Sequence, residues 1–334
     1  MFRFRPDIFT ILLIATVLIA SLLPCRGEAA VFFEGATTAA IVLLFFMHGA
    51  KLSREAVIGG LSVWRLHLAV FASTYVLFPI LGVALTLLPD GLLDPEIKMG
   101  MMFLCILPST VQSSIAFTSM ARGNVPAAVC SASLSNIAGV FIAPLLAGLF
   151  IHSGMEVSGG FLMDAIGSVA LELLAPFVIG HLMRPLIGGY VDRHRLFLGR
   201  LDRGSILLVV YTAFSAAVIE GLWHRLSGFD LALITGLDIL LLVIVLVLTT
   251  LGARLGGFST KDETVLVFCG SKKSLASGVP IAGALFAPAQ VGLIILPLML
   301  FHQIQLIVCA AIAQHYARRV ELITPDQEVP VTAS

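Results

Sequence analysis

Charge is scarce in this chain. Only 12% of its 334 residues are Asp, Glu, Lys or Arg, about half the ~25% usual in soluble domains. The 20 basic and 20 acidic residues cancel, so there is no global basic field to attract nucleic acid, and none is expected as a partner. Cysteine is sparse and scattered: Cys25, Cys105, Cys130, Cys269 and Cys309 form no Cys-x-x-Cys pair and show no metal-ligand spacing. They read as small core residues. No nucleotide-binding loop, metal-ligand set or nucleophile–base pair emerges from the spacing. An enzyme is therefore not expected, and neither is a cofactor. What is present is apolar sequence, 58% of the chain with a mean hydropathy of +1.03. Apolar stretches near 20 residues long place it among all-α polytopic membrane proteins, surrounded by membrane lipids.

Ten spans are predicted, near 8–23, 30–49, 67–88, 97–120, 125–151, 161–187, 205–223, 231–256, 263–286 and 290–316. The first, behind Arg3 and Arg5, reads as a transmembrane helix rather than a cleaved signal peptide. With the N-terminus inside, the outer segments carry only Arg26, Lys98 and Arg225, and all other basic residues except Lys272 and Lys273 fall inside. That asymmetry puts both termini in the cytoplasm. The longest inner loop is expected over 184–204. Division near residue 155 gives two inverted five-helix repeats, 1–155 and 156–320, followed by a short cytoplasmic tail, 321–334. Ser114-Ile-Ala in span four and Ser274-Leu-Ala in span nine, each followed by a later proline, hint at the internal similarity. The short termini and the lack of an organelle presequence suit a bacterial inner membrane.

The polar residues within the spans are concentrated. Span nine holds Gly270-Ser-Lys-Lys-Ser274 between apolar flanks. A lysine at the centre of a membrane helix costs about 2.5–3.5 kcal/mol on insertion scales. Lys272 and Lys273, with Ser271 and Ser274, therefore predict a broken helix lining a watery cavity, open to anions. A lysine paired with a buried carboxylate is the plainer reading, and both readings can hold because there are two lysines. Span four holds Pro108-Ser-Thr-Val-Gln-Ser-Ser114, where proline disrupts the helix and Gln112, Ser113 and Ser114 can bind a ligand or their own backbone. Span five offers Ser131, Ser133, Ser135 and Asn136, and span ten offers His302, Gln303 and Gln305. Two carboxylates, Glu172 and Asp238, could neutralise a lysine or carry a proton. Arg122-Gly-Asn124 reads as a tight interfacial turn.

These residues resemble the bile acid:sodium symporter family. The likeness covers nearly the whole chain and rests on the span-four cluster, Ala121-Arg-Gly-Asn124, the Ser/Asn-rich span five ending at Pro144, and above all two strings. These are Phe268-Cys-Gly-Ser-Lys-Lys-Ser-Leu-Ala-Ser-Gly-Val-Pro280 and Phe301-His-Gln-Ile-Gln-Leu306. Both are similar to the branch of the seventh member of solute carrier family ten and its bacterial and plant relatives. The resemblance implies a core domain of spans three to five and eight to ten, with spans four and nine broken and crossing at mid-membrane. It implies a panel domain of spans one, two, six and seven, with substrate between the two. Ser113, Ser114, Ser131 and Ser135 fall near the family's sodium positions. The bile acid symporters, however, carry a glutamate two residues before the glycine matching Gly270 and a glutamine two residues after it. Here those positions are Phe268 and Lys272. Phenylalanine cannot ligate sodium. A fixed ammonium repels a second cation by ~4 kcal/mol at 4 Å and an effective dielectric of 20.

The expectation is a secondary transporter of a small organic anion, acting by alternating access, with the usual sodium site in question. Substrate contacts are expected from Lys272, Lys273, Ser271, Ser274, Gln112, Ser113, Ser114, Asn136, His302 and Gln303. Ion binding or coupling is expected from Ser113, Ser114, Ser131, Ser135 and Glu172. The alternative is a non-transporting regulator or ligand sensor that acts on ion flow through a partner. The absence of a large soluble domain weighs against it. An intramembrane enzyme built on His302 and Glu172 is a third reading that the spacing does not favour.

Overall fold

The structure, a computed structural model, describes residues 8–51, 63–89, 91–150, 173 and 175–323. All regular elements among them are helical. Besides a single turn at Leu222–Arg225, they are α1 (Ile8–Leu22), α2 (Glu28–Lys51), α3 (Trp64–Thr86), α4 (Pro95–Ile106), α5 (Gln112–Met120), α6 (Val125–Phe150), α7 (Ala175–Arg193), α8 (Arg195–Ile219), α9 (Gly228–Leu255), α10 (Thr260–Gly270), α11 (Leu275–Leu285) and α12 (Pro288–Ile323). Within the described residues, six helices are long and apolar enough to cross a membrane: α2, α3, α6, α8, α9 and α12. Large apolar side chains project outward along them, for example Ile239, Leu240, Val243 and Val247 on α9. This is the surface of an integral membrane protein, whose outer face meets lipid tails rather than water.

Local sequence explains the helix starts. Asp94 caps α4 by accepting from the Glu96 N–H at 2.8 Å, with Pro95 in the first turn, where its missing donor is harmless. Ser227 and Asp230 form a reciprocal capping box at α9. Ser259 caps α10 by accepting from the Asp262 N–H.

Besides α1, with 15 residues, four helices are too short to cross alone. α4, α5, α10 and α11 run 12, 9, 11 and 11 residues, at most ~18 Å each at 1.5 Å per residue, against a hydrocarbon core of ~30 Å. They occur as two end-to-end pairs, α4/α5 and α10/α11. The first interruption is Leu107–Val111, beginning where Leu107 turns extended before Pro108. The second is Ser271–Ser274. α3 is uninterrupted but widens into a π-helical stretch over Ser73–Leu77.

α1, α2, α7 and α8 pack on one another. α2 meets α7 through glycines: a Cβ on Gly49 would lie 1.9 Å from the Phe177 carbonyl oxygen, and one on Gly180 would lie 2.0 Å from that of Phe46. Only hydrogen fits at either site, and the helices approach backbone to backbone. Gly180→Ala is expected to lower the melting temperature of detergent-purified protein, in line with about 1–3 kcal/mol for overpacking. An unchanged melting curve would mean that this contact is looser than described.

The inner loop expected over 184–204 is instead helical. α7 runs through Pro185 to Arg193 and α8 begins at Arg195, with His194 between them. Leu, Arg and Phe dominate 195–201 and are compatible with helix, so charge density marks the membrane boundary here but not a chain break. The turn after α5 is as tight as expected. Arg122 takes a left-handed φ of +56°, and Asn124 reaches across to α10, its amide Nδ2 donating to Asp262 at 2.9 Å. Glu172 and the first part of the sixth predicted span, 161–172, lie outside the described residues, as does residue 174.

Candidate substrate site at two helix breaks

The C-terminal turn of α10 leaves carbonyls without intrahelical donors, as every helix end does. Three hydroxyls from elsewhere in the chain supply them. Ser114 Oγ donates to Phe268 O at 2.9 Å, Ser109 Oγ to Cys269 O at 2.5 Å, and Ser73 Oγ to Gly270 O at 2.8 Å. The hydroxyl cluster of the first break thus caps the helix leading into the second. The breaks also touch directly, the Ser274 N–H donating to Pro108 O at 2.9 Å. Asn136 on α6 clamps both: its Nδ2 donates to Ser109 O at 3.0 Å and its Oδ1 accepts from Ser277 Oγ at 2.7 Å.

The two lysines have different surroundings. Lys273 Nζ donates to three backbone carbonyls, Leu107 O at 2.6 Å, Cys105 O at 2.9 Å and Thr74 O at 3.0 Å. It also lies 4.0 Å from the centroid of the Phe78 ring. Cys105 and Leu107 end α4, and Thr74 lies in the π-helical stretch, where wider winding spares carbonyls from the helix ladder. An ammonium with three donors is matched by three acceptors. The Lys273 peptide is read on both sides by Gln305, whose Oε1 accepts from its N–H at 2.9 Å and whose Nε2 donates to its carbonyl at 2.9 Å. Lys272, also 0% exposed, is poorly supplied by comparison. Its Nζ makes one long hydrogen bond, 3.4 Å to Ser113 Oγ, and otherwise faces the rings of Phe117 and Phe268 at 4.3 and 5.7 Å.

In front of the breaks lies a cavity of about 210 Å³ that shares walls with a second of about 270 Å³. On one side are the first residues of α5 and α11 with their caps, among them Gln112, Ser113, Ser274 and Ser277, together with Asn136 and His302. On the other are α2 and α8, contributing His48, Lys51, Asp202 and Arg203. Lys51 and Asp202 form an ion pair across α2 and α8. His48 Nδ1 faces the Leu44 carbonyl at 2.9 Å and must donate to it. His302 Nδ1 faces the Gln305 amide nitrogen at 2.9 Å and must accept. The neutral tautomers therefore differ, with an acceptor Nε2 on His48 and a donor Nε2 on His302.

Of the residues expected at the site, Gln112, Ser113, Ser274, Asn136 and His302 line the cavity. Ser114, Ser271, Lys272 and Lys273 are buried behind its wall, and Ser271 Oγ donates back to Val267 O at 2.5 Å. Gln303 is half-buried outside both linings. Ser131 and Ser135 border a lateral groove beside α3 instead. Ser131 Oγ pairs with His67 Nδ1 at 2.6 Å, and Ser135 Oγ accepts the Ser109 N–H at 3.1 Å. Sequence reading missed His48, Lys51, Asp202 and Arg203, which sit near helix ends where charge looks ordinary. It named Gln305 without foreseeing its grip on the second break.

Known proteins resemble this chain over nearly its whole length. Residues 7–318 match the model of the SBF-like CPA transporter family. The chain is 59% identical to the protein PA2026 of Pseudomonas aeruginosa, over 95% of both chains. It is 53% identical to YfeH of Escherichia coli strain K12, over 96% of both chains. It is 26% identical to sodium/bile acid cotransporter 7-B of Xenopus laevis, over 91% of this chain and 90% of that one. These are transporters by family rather than enzymes. The chain belongs to the SBF-like CPA transporter family.

Proposed function

We propose that this protein carries a small organic anion across a bacterial inner membrane by alternating access, without the sodium ions used by bile acid symporters. The observation that carries the reading is the Lys273 cage. Three carbonyls converge on one point where the helix breaks meet. Carbonyl oxygens so arranged are the ligands a sodium ion would need, and a tethered ammonium already fills the place. The ammonium is tethered to the chain, so no cation has to be loaded from solution before the anion.

The electrostatics of the cavity support an anion. α5 and α11 both begin at its wall, and helix N-termini carry partial positive charge. Lys272 stands behind Ser113, while Lys51 and Arg203 face inward with Asp202 the one acidic residue among the described lining. In this reading Gln112, Ser113, Asn136, Ser274 and His302 contact the substrate. Lys272 and Lys273, with Ser114 and Ser271, act from behind the wall. The moving parts are a panel of α1, α2, α7 and α8 and a core of the remaining helices. The ten-span inverted repeat dividing near residue 155, with cytoplasmic termini, belongs to the same proposal.

The test is a thermal-shift series on detergent-purified protein with mono- and dicarboxylates, sulfonates and bile salts, in sodium and then in choline at equal ionic strength. Ligands that bind only the folded state raise the melting temperature. An anion-specific shift that is equal in both salts is expected. A shift that requires sodium would return the protein to the sodium-coupled mechanism.

A further inference from the structure

We propose that Asp238, on α9, is the site at which this transporter binds and releases a coupling proton. The inference extends the transporter reading by naming the ion. Asp238 is 0% exposed, and neither of its carboxyl oxygens has a hydrogen-bond partner among the described residues. The other buried carboxylate among the described residues, Glu263, is supplied by Tyr316 at 2.6 Å and Arg254 at 3.3 Å. An ionised carboxylate cannot remain buried without donors or a counter-charge, and such a group takes up a proton instead.

Its neighbourhood supplies the other half of the switch. α9 packs against α10, α12 and the π-helical stretch of α3. Lys261, Asp262 and Glu263 lie at the far end of α10, with Glu263 bonded to Arg254, and Arg254 is ~24 Å along α9 from Asp238. The far end of α12 likewise holds His315, Tyr316 and Arg318. The groups at the level of the breaks are Cys269, Lys272, Lys273, Tyr75, His302, Cys309 and, on α4, Cys105. Cys105 lies within electrostatic reach of both Asp238 and Lys273, and its carbonyl accepts from Lys273 Nζ. With its proton on, Asp238 is neutral and the Lys273 charge at the breaks is uncompensated. When the core hydrates, the Asp238 O–H bond breaks, the proton passes to water and the carboxylate takes Lys273 as counter-ion. The break then loses its net charge and its hold on an anion. Proton and anion binding favour one another, and by linkage the effect is reciprocal.

Infrared spectroscopy of the full-length protein, titrated from acid to alkaline pH, tests this without any substrate. From neutral to alkaline pH, where ordinary carboxylates are ionised, the carbonyl-stretch band of a protonated carboxylic acid is expected in the wild type, reversibly lost as the pH rises, and absent over that range in Asp238→Asn. If the Asn variant does not fold, Asp238→Glu should shift the band rather than remove it. A spectrum unchanged by either substitution overturns the proposal. So does an Asp238 band that never titrates while the melting temperature shows an intact fold. The band does not depend on transport. A wild-type protein that ignores every anion would defeat the transporter reading and leave this measurement standing.

Discussion

Lys273→Ala is expected to be the most damaging single substitution in the protein. It strips the carbonyls of Thr74, Cys105 and Leu107 of a shared donor at a place buried from solvent. Each buried acceptor left unpaired costs about 1–3 kcal/mol. Three together are on the order of 5 kcal/mol, comparable with the whole ~5–15 kcal/mol stability of a typical domain. The prediction separates chemistry from volume. Lys273→Met restores most of the bulk and none of the donors, so it should fare little better than alanine. Size-exclusion profiles and melting curves in detergent read the outcome directly. A well-folded Lys273→Ala protein with wild-type melting would show that the cage is dispensable and remove the structural basis of the sodium-free reading.

Lys272→Ala should behave in the opposite way. Its ammonium has one 3.4 Å hydrogen bond and two aromatic faces. Removing a buried charge so weakly paired leaves stability near wild type, or above it, because the desolvation penalty goes with it. Anion binding should fall. For an anion about 8 Å away at an effective dielectric of 20, the lost attraction is ~2 kcal/mol, about thirtyfold in affinity. The measurement is the anion-dependent thermal shift, with uptake into proteoliposomes as the second readout. A folded Lys272→Ala protein whose anion response matches the wild type would show that this charge does not reach the cavity. Finding both lysine variants misfolded would make the pair jointly structural.

Much of this was legible in the sequence. Apolar runs of membrane length specify helices because lipid offers the backbone no other hydrogen-bond partners. The breaks were legible for the same reason. Pro108 with its hydroxyls and Gly270 with two lysines cannot sit in a lipid-facing helix, and Leu107–Val111 and Ser271–Ser274 are where the helices stop. The stretch 184–204 was misread because its charges mark a membrane boundary while the Leu and Arg among them remain good helix formers. Adjacent in sequence, Lys272 and Lys273 looked interchangeable. Only the tertiary structure separates them, because the acceptors for Lys273 come from positions 74, 105 and 107, and local sequence carries no record of which distant carbonyls a fold leaves free. The same holds for His48, Lys51, Asp202 and Arg203: each looks like an ordinary boundary charge until α2 and α8 are packed against the two breaks. Composition and periodicity determined that this chain spans a membrane and where its helices fail. Long-range packing decided which polar groups meet there, and so which lysine is fully supplied with acceptors and which has a single long hydrogen bond.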